Sequence, residues 1–464
     1  MKYDTIIKNG KVVIPNTGVV DTVIAIKNGK ITALFSNMDD QEADTVIDAD
    51  GKYILPGLID PHVHWGLYGA TLSQQTVTES KSAAIGGVTT ALHYQRRPEF
   101  TKELIDEIVG EIEPHSYIDF SLQLFVTENK HVAGIKTAVE QAGISSFKFF
   151  MTERNEDSGI NGIGATGIKE PYTDGFCYDA LLEMGKYKKV VGNFHAENIE
   201  ILERLGRKVW KSGKQGLSAW NEARPEFLEA EATSRMGYIA EATGCPVYIV
   251  HISCKSAADE VARFKAKNVK MYGETCPHYL VLNTESPIGI LAKVNPPIRP
   301  AENNEALWTA LRDGTIDTVG SDNCGGKREI KEGDIWTASP GFAGSATILP
   351  VLLSEGVNKG RLSLDRLAQV TSLNAAKIFN LYPRKGTIAV NSDADLVFVD
   401  LDLEKEVDAE YLQSWSDFSV FEGMKLKGWP TMTMVRGKVI MQDGQIVGSE
   451  GHGNYLKRND FITK

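Results

Sequence analysis

Hydrophobic residues near both ends of the chain recur in short runs that are separated by glycine turns. In the first 50 residues the runs are interrupted by Asn-Gly pairs at 9–10 and 28–29. Asn-Gly between apolar runs is a strong signal for a β-hairpin. Similar runs return after residue 395, where Asp443-Gly444 marks another turn. The pattern predicts one small β-sandwich domain that is built from both ends of the chain.

The middle of the chain alternates between short apolar runs and helical stretches. Eight such units are what a (β/α)8 TIM-like barrel of the α/β class requires. A doubly wound parallel sheet is the alternative for the same alternation. The predicted strands are Leu58–Asp60, Val88–Leu92, Phe120–Phe125, Ser146–Phe150, Val190–Phe194, Val247–Val250, Val269–Tyr272 and Ile316–Val319.

These patterns divide the chain into four parts. The first part of the sandwich is predicted at 1–54, the barrel at 55–380, the second part of the sandwich at 381–450, and a polar tail at 451–464. The basic pair Lys457-Arg458 in that tail is interpreted as a solvated end.

Composition narrows the class of partner. The 464 residues carry a net charge of -11, which argues against nucleic acid or an anionic membrane as a partner. Five scattered cysteines without a CxxC pair are typical of reduced thiols in a cytoplasmic protein. No apolar run approaches the roughly 18 residues of a membrane span.

Polar residues that could bind a metal fall at the ends of the predicted strands. In a barrel, the carboxyl ends of all strands point to one mouth, so residues distant in sequence would converge there. The candidates are His62, His64, Lys148, His195, His251 and Asp322.

Each candidate has a second interpretation. His62 and His64 share one face of an extended segment and could bind one ion, but histidines also serve as hydrogen-bonded core residues. Lys148 lies in an apolar strand, where burial should lower its pKa. A neutral amine can take up carbon dioxide as a carbamate that bridges two cations, whereas a charged one would pair with an acid. Asp322 could ligate a metal and accept a proton, or cap a helix.

Several motifs together resemble the amidohydrolase superfamily. They are most similar to the cyclic amidohydrolases of the hydantoinase and dihydropyrimidinase branch, whose relatives include allantoinases and dihydroorotases. The motifs are Pro56–His64, Phe147–Met151, Arg224–Glu226, Glu274–Leu280, Asn295–Arg299, Gly320–Asp322 and Phe421–Met424.

The resemblance implies a binuclear zinc centre. Lys148, carboxylated to N6-carboxylysine, and a hydroxide would bridge the two ions. The hydroxide would attack the scissile carbonyl, and Asp322 would pass its proton to the leaving ring nitrogen. The implied ligands of one zinc are His62, His64 and Asp322, and those of the other are His195 and His251.

The chain departs from the family pattern where substrate would bind. Glu153 stands where hydantoinases usually have tyrosine, Asn323 where histidine is common, and Thr337 where asparagine is usual. Gly66 replaces the arginine of dihydroorotases, which disfavours that activity. Together with Asn295, which would contact the ring amide through its backbone, Glu153, Asn323 and Thr337 are the predicted substrate contacts. Allantoinase and cyclic imide hydrolase are therefore alternatives to hydantoinase or dihydropyrimidinase.

The functional hypothesis is a hydrolase that opens a small cyclic amide. A mononuclear superfamily deaminase, which would lack the bridging lysine, is the second hypothesis. A non-enzymatic scaffold that has lost its ligands is the third. By resemblance the protein is expected to form a homo-oligomer, a tetramer or dimer, and the polar segment 153–175 is expected to be a mobile loop over the barrel mouth.

Overall fold

The chain forms a parallel-stranded barrel and a β-sandwich to which both ends contribute, and this confirms the predicted fold class. The computed structural model describes residues 2–37, 41–154, 159–165 and 172–458, with the backbone alone at 153–154 and 164–165. Within these ranges no helix has the length and apolar character that crossing a bilayer requires.

The amino-terminal strands alternate between the two sheets of the sandwich. Asn28 and Gly29, both with positive φ, form the tight hairpin that the sequence predicts. The Asn9-Gly10 pair instead carries the chain from one sheet to the other. A Cβ at Gly10 would lie 2.4 Å from Ile54 Cδ1, so the close approach of two strands requires glycine there. The strands are β1 (Tyr3–Lys8), β2 (Lys11–Ile14), β3 (Gly18–Asp21), β4 (Val23–Lys27), β5 (Lys30–Phe35), β6 (Ala43–Asp48) and β7 (Tyr53–Pro56).

Parallel strands then build the barrel, and the predicted apolar runs match them. The chain between β11 and β14 adds a short parallel pair, β12 and β13. The strands are β8 (Leu58–His64), β9 (Val88–Gln95), β10 (Asp119–Phe125), β11 (Ser146–Phe150), β12 (Glu153–Arg154), β13 (Gly164–Ala165), β14 (Val191–His195), β15 (Val247–Ile249), β16 (Met271–Thr275), β17 (Thr318–Val319) and β18 (Asn323–Cys324).

The barrel closes through an interrupted eighth strand. β17 pairs with β16 on one side, and β18 pairs with β8 on the other. The three residues between them, 320–322, leave the regular ladder, so the closure point is also the place where the backbone turns into the barrel mouth.

The last strands return to the sandwich. β19 pairs with β7, which joins the two ends of the chain in one seven-stranded sheet of order β22-β21-β20-β19-β7-β2-β3. The opposing sheet has the order β5-β4-β1-β6, and Ile24, Ile54 and Phe398 are buried in the core of this domain. The strands are β19 (Leu396–Glu406), β20 (Lys425–Val435), β21 (Lys438–Gln442) and β22 (Gln445–Ile446).

Helices follow the barrel strands and cover the sheet. Thr71 starts the first with a capping box, because its hydroxyl accepts from the Gln74 amide and the Gln74 side chain accepts from the Thr71 amide. The helices are α1 (Leu72–Ile85), α2 (Lys102–Ile112), α3 (Asn129–Glu140), α4 (Asp174–Met184), α5 (Ile199–Lys211), α6 (Gly216–Ala223), α7 (Glu226–Thr243), α8 (Lys255–Ala266), α9 (Pro277–Val281), α10 (Glu302–Asp313), α11 (Ile348–Val351), α12 (Leu364–Ala368), α13 (Asn374–Ile378) and α14 (Ala409–Leu412).

The described part of the tail seals the amino end of the barrel. Leu456 is fully buried, and its amide donates to Phe120 O. Arg458 is also buried and donates to Ser146 Oγ and Leu122 O. The interpretation of Lys457-Arg458 as a solvated end is therefore wrong for Arg458, because the opening among the strand starts offers carbonyl acceptors for its guanidinium.

Candidate metal centre and active site

Two histidines at the end of β8 project into the barrel mouth. His62 and His64 are two residues apart in an extended strand, so their side chains share a face. Their Nε2 atoms lie 3.2 Å apart. The other ring nitrogen of His62, Nδ1, lies 2.8 Å from Glu274 Oε1 at the end of β16. That contact orients the imidazole so that Nε2 faces the centre of the mouth.

Asp322 joins this pair from the break between β17 and β18. Its Oδ1 lies 3.1 Å from His62 Nε2 and 3.5 Å from His64 Nε2. The three ligand atoms all lie within 4.8 Å of one another, which is compatible with binding one ion. The φ of Asp322 is +52°, a left-handed conformation that is unusual for a residue other than glycine. The interrupted strand thus directs this carboxylate toward the histidines.

A second histidine pair stands beside the first. His195 ends β14 and His251 follows β15, and His195 Nδ1 lies 2.9 Å from His251 Nε2. The His251 ring stacks on that of His62, with centroids 5.4 Å apart. His251 also has a positive φ of 43°, and its amide donates to Glu274 Oε1. Glu274 therefore contacts one residue of each pair and holds them in register.

Lys148 lies between the histidine pairs on β11. Its side chain is fully buried, and Nζ lies 3.4 Å from His62 Nε2 and 4.7 Å from the centre of the Tyr94 ring. The structure thus brings all six predicted ligands to one place at the floor of the mouth.

The electrostatics of this cluster suit divalent cations. Burial lowers the pKa of all four imidazoles, so they are neutral and can offer lone pairs. Burial opposes the ionisation of Asp322, but His62 and His64 outweigh it and hold the pKa of that carboxyl below its ordinary value. The Nδ1 of His251 is buried without a hydrogen-bond partner among the described residues. Neutral imidazoles that converge on an ionised carboxylate form a set of donors that fits zinc.

Residues behind the ligands were not assigned from sequence. Glu197 Oε2 lies 2.7 Å from His195 Nε2, and Arg224 pairs with both Glu197 oxygens. Burial alone would raise the pKa of Glu197, but the Arg224 guanidinium and His195 lower it to about 2. The signal that could have identified Glu197 is its position two residues after His195, which repeats the spacing of His62 and His64.

A cavity of about 550 Å³ opens above the cluster. Its walls are largely aromatic and aliphatic, and the residues that supply them include Trp65, Leu67, Leu72, Phe125 and Phe150. At the rim stand three charged residues, Arg96, Arg97 and Glu111. A pocket with apolar walls and a few convergent polar groups is the usual form of a small-molecule site.

The four predicted substrate contacts are placed differently. Asn295 lines the cavity, and its Oδ1 is buried without a partner among the described residues. Asn323 is turned into the protein, where its amide donates to Glu79 and its oxygen accepts from the Gly344 amide. Thr337 lies in an exposed turn, where its hydroxyl bonds to Asp334. The side chain of Glu153 lies outside the described residues.

Two of these placements have a local cause. Asn323 directly follows Asp322, and neighbouring side chains of an extended strand point to opposite faces, so Asn323 does not share the cavity face with Asp322. Thr337 belongs to a turn stabilised by the Asp334 carboxylate, which accepts from the amides of Trp336 and Thr337. Neither Asn323 nor Thr337 is among the residues that line the cavity.

Known proteins resemble this chain over nearly its full length. The model of the "Amidohydrolase family" matches residues 228–440. A D-hydantoinase from Geobacillus stearothermophilus is 34% identical over 98% of this chain and 97% of its own, and an allantoinase from Salmonella choleraesuis is 33% identical over 95% of both. The solved L-hydantoinase (dihydropyrimidinase) of Arthrobacter aurescens is 33% identical and superposes with a TM-score of 0.90 over 98% of this chain and 100% of its own. These matches confirm the resemblance predicted from the motifs.

Proposed function

Since the chain belongs to the amidohydrolase family, in the group that includes hydantoinases and allantoinases, we propose that it hydrolyses the ring amide of a small cyclic substrate. The observation that carries the proposal is the convergence of His62, His64, His195, His251, Lys148 and Asp322 at the floor of one cavity.

The ligand assignment follows from the two pairs. We propose that His62, His64 and Asp322 hold one zinc ion and that His195 and His251 hold the other. Asp322 is the only carboxylate in this ligand set, and it balances little of the positive charge of two divalent ions. Carboxylation of Lys148 replaces a buried ammonium with a second anion, at a point 3.4 Å from His62 Nε2. When bound, the two ions supply a water that ionises near neutral pH and a Lewis acid for the amide carbonyl.

Asp322 accepts and then donates the proton that is transferred in this reaction. Its lowered pKa keeps it ionised, so an Oδ atom can accept the proton of the attacking water. The water oxygen bonds to the carbonyl carbon, the bond from that carbon to the ring nitrogen breaks, and Asp322 returns the proton to the leaving nitrogen.

Substrate selection rests on the cavity above. We propose that Asn295 hydrogen-bonds the ring amide, because its unpartnered Oδ1 and cavity position suit that contact. The apolar walls favour a hydantoin or dihydropyrimidine with an apolar substituent. A ureide such as allantoin is the second candidate, because Arg96, Arg97 and Glu111 could hydrogen-bond a polar tail at the rim.

A substrate panel on zinc-reconstituted protein tests the proposal. The panel should contain both enantiomers of apolar 5-substituted hydantoins, dihydrouracil, allantoin and a cyclic imide, with the zinc content measured in parallel and the carboxylation of Lys148 read from the electron density of a crystal. We expect ring opening, two zinc ions per chain and one carbon dioxide on Lys148. Metal-replete protein that opens no ring would refute the proposal, and one metal with unmodified Lys148 would favour a deaminase.

We further propose a homo-oligomer that works in the cytoplasm. The apolar residues Tyr178 and Leu182 on α4 and Phe227 and Tyr238 on α7 are between 40% and 54% exposed. All five cysteines are free, which suits a reducing compartment. Light scattering of the purified protein tests the assembly, and cell fractionation tests the location.

A further inference from the structure

A buried ion pair stands directly behind the second histidine pair. Glu197 and Arg224 are both fully buried, and Glu197 is hydrogen-bonded to His195 Nε2. Arg224 Nε donates to Glu197 Oε1 at 3.1 Å, and Nη2 donates to Oε2, so the carboxylate is gripped at both oxygens. With its Nε2 occupied in this way, His195 directs Nδ1 toward His251. The reaction proposed above does not use Arg224.

The same guanidinium reaches Gly162, which contacts the cavity-lining residue Asn295. Arg224 Nη1 donates to Gly162 O at 2.9 Å, and the Asn295 amide donates to that same oxygen at 3.1 Å. Gly162 has a φ of +92°, and a Cβ there would lie 3.1 Å from Asn295 Nδ2 and 3.3 Å from Pro340 Cγ. Only glycine fits this close approach. The Gly162 oxygen thus accepts hydrogen bonds from both Arg224 and Asn295, which is a predicted substrate contact.

The surroundings leave Arg224 little freedom. Its guanidinium lies 5.3 Å from the centre of the Trp220 ring, and the Trp220 indole donates to Val294 O, next to Asn295. The backbone carbonyl of Arg224 accepts a hydrogen bond from Arg299, which is paired with Glu229. Because the Arg224 guanidinium is bound to Glu197 on one side and to Gly162 O on the other, a displacement of either partner shifts the other.

We propose that Arg224 is a positioning residue that couples the orientation of the His195 imidazole to the placement of Asn295 and of segment 159–163, whose Gly162 contacts Asn295. The coupling runs from His195 through Glu197 and Arg224 to Gly162 O. It rests on the proposed function in one respect, which is that His195 holds a metal and Asn295 meets substrate.

Two conservative variants test the coupling at its two ends. Arg224→Lys keeps the charge but cannot reach both Glu197 oxygens and Gly162 O. Glu197→Gln is nearly isosteric, so it allows the coupling to be tested if Arg224→Lys does not fold. For each variant the experiment measures the rate of zinc release to a chelator, hydrogen exchange of peptides that cover 159–163, and kcat and KM separately.

Both variants should release zinc faster, by roughly the 10- to 100-fold that is typical of a lost partner behind a metal ligand. Glu197→Gln should also speed hydrogen exchange in 159–163. The hydrogen bonds of Glu197 go to His195 and Arg224, so this effect would pass through Arg224. KM should rise together with a fall in kcat, and the double variant should be no worse than Arg224→Lys alone.

A matched control separates coupling from simple loss of stability. Lys385 is buried in a carboxylate cluster at the opposite end of the barrel, so Lys385→Arg should lower the melting temperature without changing zinc release or exchange in 159–163. If Glu197→Gln changes zinc release but leaves exchange in 159–163 as in the wild type, the coupling is refuted. The zinc and exchange measurements need no substrate, so an inert wild type would refute the proposed function alone.

Discussion

The two ends of the barrel both bury charged side chains and use them in opposite ways. At the amino end, Lys385 Nζ lies 2.6 Å from Asp119, 2.5 Å from Asp395 and 3.1 Å from Asp393. Arg436 adds a second cation against Asp119. Each carboxylate of this cluster lies against a cation, and the cluster joins the barrel to the sandwich.

The carboxyl end leaves its polar groups available to an outside partner. Four neutral imidazoles face one another there, and the backbones of His251 and Asp322 are held in left-handed conformations. His251 Nδ1 and Asn295 Oδ1 have no partner among the described residues. Strain and unsatisfied groups of this kind lower stability unless a ligand repays them. The base of the barrel therefore pairs its buried charges within the protein, whereas the mouth leaves polar atoms for a ligand to satisfy.

The largest expected effect is at Asp322. Asp322→Asn removes the proton acceptor and a proposed ligand, so kcat should fall by roughly 10²- to 10⁴-fold. The melting temperature should change little, because the residue is strained and faces the cavity. Steady-state kinetics with thermal melts measure both quantities. A variant that keeps wild-type kcat would show that the mouth does not need this carboxylate.

Leu456 tests the opposite end. Leu456→Ala opens a void beneath the barrel and should lower the free energy of unfolding by about 2–4 kcal/mol. The kcat should stay at the wild-type value, since the residue seals the end far from the cavity. Urea unfolding and kinetics measure the two quantities. A lower kcat without lower stability would contradict the division between the two ends.

The pH dependence of stability sharpens the comparison further. Unlike Lys385, the buried Lys293 and Lys331 donate only to backbone carbonyls among the hydrogen bonds of the described residues. Burial lowers the pKa of each to about 7. Between that pH and the pKa of the unfolded chain, 10.5, the unfolded state binds protons that the folded state has released. These two lysines should therefore make stability rise with pH, by at most about 1.4 kcal/mol per pH unit for each proton.

Lys331→Met isolates this contribution. The variant should show a shallower rise in the free energy of unfolding between pH 7 and pH 9. Chemical unfolding at several pH values provides the measurement, with Lys385→Arg as the reference. Equal slopes in wild type and Lys331→Met would show that Lys331 keeps its proton in the folded state.

The smallest effects distinguish the wall of the cavity from its surroundings. Asn295→Ala should raise KM by roughly 5- to 10-fold, which corresponds to the loss of one hydrogen bond. Thr337→Ala should leave KM within about twofold, since an exposed turn residue contributes little to binding. A larger effect at Thr337 than at Asn295 would reverse the assignment of the two residues.

The sequence alone predicted the architecture and the six residues that line the floor of the barrel mouth. Apolar runs of strand length, each followed by a helix, fit either a barrel or a doubly wound sheet, and the motifs resemble a family of barrels. In a barrel, polar residues at the ends of those runs meet at one mouth. The two-residue spacing of His62 and His64 determined that they share a face, because this follows from the backbone of any strand.

Only the tertiary structure decided which neighbours face the cavity. The turn at Asp334 keeps Thr337 out of the cavity lining, the barrel base buries Arg458, and the fold brings Arg224 between Glu197 and Gly162. None of these placements follows from a repeat in the sequence. They depend on local departures from regular geometry and on contacts between distant segments, and periodicity records neither.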